Sequence, residues 1–116
     1  MNPVREHPGQ PYGYRRWTRG AERVSITYYI EESGDEAREF LRRHVAALSI
    51  PSRKIEGFGN EAYLVAPSSP QGDRSILFRV GRIVVEVDAP GEDGARYFAK
   101  VFLPEVVKRD AIGPDQ

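Results

Sequence analysis

His7 and His44 are the side chains in this sequence best suited to moving a proton near neutral pH. His7 lies in an N-terminal stretch without periodicity, and His44 flanks an apolar helical stripe. Nothing in their placement lets them share a metal or a proton relay, and His44 reads as a half-buried structural residue. Ser68 and Ser69 stand between Pro67 and Pro70, which is loop chemistry and not the strand-to-helix elbow that exposes a nucleophilic serine. Gly57-Phe58-Gly59 fails the dinucleotide fingerprint, because Ala62 takes the place of the third glycine and the segment runs on into a strand. Those glycines are better explained by backbone geometry. Asp88, Glu92 and Asp93 beside Gly94 lack the alternating spacing of a calcium loop, and Glu31, Glu32, Asp35 and Glu36 suit the positive end of a helix. With no cysteine there is no disulfide, thiolate site or cysteine nucleophile. The sequence therefore assigns no catalytic residue, no metal ligand and no cofactor, and the expectation is a protein that is not an enzyme.

A second chemistry, nucleic-acid binding, is suggested by the N-terminal arm. There Arg5, Arg15, Arg16 and Arg19 interleave with Tyr12, Tyr14 and Trp17 against the single acid Glu6, a composition suited to stacking on bases and holding phosphates. Over the whole chain, 17 basic residues face 17 acidic ones, so no net field draws in a polyanion. Nucleic acid is accordingly disfavoured, and the arm reads as an extended segment that packs its own aromatics. No apolar run reaches the length of a membrane span. The composition fits a cytoplasmic protein as written, and an extracytoplasmic one if a leader or anchor has been removed.

These residues must be positioned by a small set of elements. The 116-residue chain divides into an arm over 1–20, one domain over 21–110 and a tail over 111–116. Within the arm, Tyr12, Tyr14, Arg16 and Trp17 can form an edge strand that turns at Arg19-Gly20-Ala21. Val24–Ile30 alternates as a strand, with Val24, Ile26, Tyr28 and Ile30 on one side and Ser25, Thr27 and Tyr29 on the other. Ser33 and Glu36 have the spacing of a capping box for a helix whose stripe is Ala37, Phe40, Leu41, His44, Val45 and Leu48. Strands are expected at Arg53–Glu56, Glu61–Ala66, Ser75–Val80 and Arg82–Asp88, the last two joined by a two-residue Val80-Gly81 turn that sets Arg79 opposite Arg82. A second helix carries Ala95, Phe98, Val101, Phe102 and Val106, and Pro104 is expected to kink or break it.

The fold class expected is α+β: a two-layer sandwich of a four- to five-stranded antiparallel sheet with both helices on one face. The core would be Val24, Ile26, Ile30, Leu64, Ile76, Phe78, Ile83, Val85 and Val87. The opposite face would then gather Tyr29, Tyr63, Val65, Leu77, Arg79, Arg82 and Val84, too apolar a set for a solvated surface. These seven residues form the candidate interface.

The run from Gly57 to Tyr63, followed by Phe78-Arg79-Val80-Gly81-Arg82-Ile83-Val84-Val85-Glu86-Val87 and a closing helix, resembles small bacterial extracytoplasmic domains. Lipoproteins and the sensor domains of some serine/threonine kinases are among them. The resemblance covers roughly residues 24–109 and implies a binding or sensing module; its motifs are turn glycines and β-branched strands, and no functional residue is carried over. The leading expectation is self-association as a homodimer, or capture of a protein partner, through the sheet face opposite the helices. The alternative is a small-molecule sensor with a pocket between the sheet and the second helix.

Overall fold

The chain alternates strongly enough to build six strands and two helices. The computed structural model describes residues 13–19, 22–48, 51–66 and 73–112, with side chains for 23–48, 51–66 and 73–110. In chain order these are β1 (Gly13–Arg19), β2 (Glu22–Ile30), α1 (Gly34–Ala47), β3 (Ser52–Ile55), β4 (Glu61–Val65), β5 (Arg74–Val80), β6 (Ile83–Ala89) and α2 (Glu92–Ile112). The strands form one sheet in the order β1-β2-β6-β5-β4-β3, and every neighbouring pair is antiparallel. The fold is α+β, as the sequence implies, with two strands at the edges that bring the sheet to six. One of them is β1, which places 13–19 of the arm in the sheet by pairing Gly13 with Tyr28 and Arg19 with Glu22. Residues 1–12 and 113–116 lie outside the described residues.

The nine residues expected as core do share one buried face, joined by Ile55, Phe58, Ala62, Val80 and Ala89 and closed by Ala95, Ala99 and Val106 of α2. The cover of the other face differs from expectation. Tyr29, Val65, Leu77 and Val84 are buried there against Ala37 and Leu41 of α1, with Phe40, Val45, Leu48 and Tyr63 packed around them. Each helix thus takes its own face, and the sheet is the middle of three layers. The reason lies in β5 and β6, whose Ile76-Leu77-Phe78 and Ile83-Val84-Val85 runs are buried on both sides. A strand that is apolar at successive positions needs two covers, because neighbouring side chains point to opposite faces.

Local chemistry sets the ends of these elements. Ser33 is extended and its hydroxyl accepts from the Glu36 amide at 3.1 Å, capping α1 as expected. Pro104 does not break α2, which continues to Ile112. The lost amide would have served the Lys100 carbonyl, and both residues are exposed, so water can take that carbonyl. Val101 of the anticipated stripe is 50% exposed, and Ala99 is buried instead.

The β5–β6 turn is two residues long but is made by Gly81-Arg82, so Phe78 pairs with Val85 and Ile76 with Val87. The shift from the expected register is even, which keeps every side chain on its face. It also dissolves the Arg79–Arg82 opposition. Arg79 now lies opposite Val84, while Arg82 leaves the sheet and binds Asp110, its backbone amide donating to Oδ1 at 2.9 Å. Gly81 has φ +55, and a Cβ there would fall 2.2 Å from Asp110 Oδ2, so only glycine allows that carboxylate to close on the turn.

Candidate functional site

The two faces of β6 carry two different chemistries. On the α2 side, Ile26 and Tyr28 of β2 and Ile83 and Val85 of β6 form the floor of a cleft of about 470 Å³. Phe102, Pro104, Glu105, Val106, Lys108 and Arg109 of α2 form its wall and rim. Helical spacing explains the wall, since 102, 106 and 109 fall on one stripe. The position follows from how α2 docks: its main contacts are with β5 and β6, so its C-terminal half overlooks β2 across a gap. The small Ala95 and Ala99 are buried in the N-terminal half, whereas the cleft opens only from Phe102 onward.

Charge at this cleft is unequal. Lys108 and Arg109 make no ion pair with a described residue, while the neighbouring Asp110 is engaged by Arg82. Glu105 is the one acid among the described lining residues. A basic residue in the last turn complements the helix dipole, which accounts for Arg109 being there but leaves its guanidinium free to meet an anion.

On the α1 side, the polar residues are bound to one another. Arg42 donates from Nε and Nη2 to the two carboxylate oxygens of Glu61 at 3.1 and 3.3 Å, and the Tyr63 hydroxyl donates to the same carboxylate. Burial raises the pKa of Glu61, but the Arg42 and Tyr63 hydrogen bonds together outweigh it and hold the carboxyl below the usual carboxylate range. Farther along the face, His44 Nε2 lies 3.1 Å from Glu86 Oε1, and the imidazole is stacked on Phe40 at 5.6 Å and tilted against Tyr29 at 5.9 Å. Asp88, two residues beyond Glu86 on the same face, accepts from Ser75 Oγ at 2.5 Å and Ser25 Oγ at 3.4 Å. Burial and then the neighbouring Glu86 push Asp88 up to about 7, against the partial offset of the two serines.

The seven residues of the candidate interface are therefore divided. Tyr29, Val65, Leu77 and Val84 are packed beneath α1, Leu77 and Val84 with no exposed area, and Tyr63 is half-buried there beside Glu61. Arg79 lies on the same face and donates from Nη1 to the Gly81 carbonyl at 2.9 Å. Arg82 belongs to the turn at the end of α2. The apolar face does have a cover, and it is the chain's own first helix. The sequence places Tyr28 and Phe102 on apolar stripes, whereas Lys108 and Arg109 do not stand out, because a lining shared by β2 and α2 joins positions some 80 apart.

The chain matches no protein-family model, no curated protein and no solved structure. Among the described residues no helix is long and apolar enough to cross a membrane, and no cluster of histidine and acidic side chains could hold a metal ion.

Proposed function

We propose that the chain is a non-enzymatic binding or sensing module whose ligand is a small amphiphile with an apolar body and an anionic head. The observation that carries this reading is the α2 cleft. Its volume of about 470 Å³ lies within the range of about 300–1,000 Å³ typical of small-molecule sites. Its floor is aliphatic and aromatic, and Lys108 and Arg109 at the rim can meet a carboxylate or phosphate. The resemblance to extracytoplasmic sensor domains supports the same class of role.

The test compares decanoate, below its micelle concentration, with decanol. Decanoate is expected to raise the thermal midpoint while the mass stays that of the unliganded oligomer plus bound ligand, because only a ligand of the native state stabilises it. Arg109→Glu is expected to weaken decanoate binding by about 10-fold or more, the loss of a charge-assisted hydrogen bond. Equal responses to decanol and decanoate, or to the wild type and Arg109→Glu, would contradict the anionic head.

Self-association is the second reading, and it shifts to α2. Tyr97, Val101 and Val107 are 58%, 50% and 49% exposed, the largest apolar side chains left in solvent among the described residues. Light scattering tests it: a homodimer dispersed by Val101→Glu would support this reading, and a wild-type monomer would end it.

A further inference from the structure

We propose that Glu86, Asp88 and His44 form a proton-operated latch that holds the C-terminal half of α1 on the sheet and slackens as the pH rises above neutral. The geometry begins with β6. Glu86 and Asp88 are separated by one residue, so both carboxyl groups project to the α1 face. Asp88 is fixed from both sides by strands that flank β6, through Ser25 of β2 and Ser75 of β5. Glu86 is tied to α1 by His44, which packs against the rings of both Tyr29 and Phe40. The C-terminal half of α1 is also held by the buried Leu41, by the Arg42–Glu61 pair and by the half-buried Val45 and Leu48, whereas its first half is anchored by Ala37 and Phe40.

Among the described side chains few can balance the charge of this pair; β1 places Arg16 opposite Ser25 in the same row. Facing it are Ser25 and Tyr29 from β2, Ser75 from β5 and His44 from α1. Tyr29 is itself pushed up, by burial first and then by Glu86 and Asp88. The nearby cations with described side chains are committed elsewhere, Arg42 to Glu61 and Arg79 to the Gly81 carbonyl. One proton on the pair leaves a single negative charge beside the His44 ring. Removal of that proton leaves two carboxylates side by side under the helix.

The linkage has a definite sign. Asp88 is raised in the folded protein to about 7 from an unfolded value near 3.9, so the folded state holds the extra proton between those values. Its stabilising effect is complete near pH 4 and is lost as the pH climbs through about 7. Glu86 moves the other way: burial raises it, but the His44 and Asp88 hydrogen bonds prevail and keep it ionised, so its contribution is lost only in acid.

The experiment is amide hydrogen exchange, read as protection factors so that intrinsic rates cancel, on the intact chain at pH 5.5, 7 and 8.5. Protection over residues 40–47 is expected to fall at least about tenfold between pH 5.5 and 8.5, the effect of one pKa unit, with residues 95–106 of α2 changing less. Asp88→Asn, which keeps the shape of the protonated acid, is expected to remove that fall. Should Asp88→Asn fail to fold, Glu86→Gln replaces it and is expected to shrink the fall, since one like charge is gone. Wild-type protection that is flat with pH, that falls equally in both helices, or that falls the same in the folded variant overturns the latch.

Discussion

Leu77→Glu is expected to unfold the domain at neutral pH. Leu77 has no exposed area and sits among Tyr29, Val65, Val84, Ala37 and Leu41, directly opposite Glu86 of β6. A carboxylate placed there must give up its hydration or take a proton, at a cost on the order of 5 kcal/mol including the lost apolar contacts. That is comparable with the whole stability of many domains of this size, about 5–15 kcal/mol. Circular dichroism in a urea series checks it. The matched control is Val101→Glu, half exposed on α2, whose effect on stability should stay within about 0.5 kcal/mol. A folded Leu77→Glu protein with an unchanged midpoint would mean that α1 does not cover this face.

Gly59→Ala is expected to be the most damaging single-methyl change. Gly59 has φ +66, and an added Cβ would stand 2.3 Å from the Arg79 carbonyl oxygen, a backbone atom that cannot swing aside. That carbonyl also accepts from the Asn60 amide at 2.7 Å, and Asn60 Oδ1 accepts from the Gly81 amide at 2.8 Å. The β3–β4 loop is thereby tied to the β5–β6 turn. Backbone strain and forced displacement together should cost about 3 kcal/mol. Gly57→Ala separates the two causes, because its φ is +94 but nothing lies within 4 Å of the added carbon. It should cost about 1 kcal/mol, from the backbone alone. Equal urea midpoints for the two variants would remove the steric argument at Gly59.

The strands and helices were legible because their apolar spacing is regular, and parity protected them from error. Placing the β5–β6 turn at Val80-Gly81 instead of Gly81-Arg82 moved the register by two residues, so Ile76, Phe78, Ile83, Val85 and Val87 still face the core together. The layer of each helix was not legible. Ala37 and Leu41 would fit either face, since a helix stripe says only that something apolar lies beneath it. The clue was in the strands: the Ile83-Val84-Val85 run has no side left for solvent, which calls for a helix above and a helix below rather than an association surface. A pocket between the sheet and the second helix was among the expectations, whereas the latch was hidden for a different reason. Ser25, His44, Ser75 and Asp88 meet only through the strand order β2-β6-β5 and the docking of α1, and no local pattern in sequence encodes that meeting.

One face of the sheet is closed by α1, and the other leaves a cleft beside α2 that we propose as the ligand site. A methyl-detected NMR titration with decanoate tests it most directly. The methyl signals of Ile26, Ile83, Val85 and Val106 are predicted to shift in a saturable way, while those of Leu77 and Val84, sealed beneath α1, stay in place. Saturable shifts at Leu77 and Val84 without movement at Ile26 and Val85, or no shift at any of them, would contradict it.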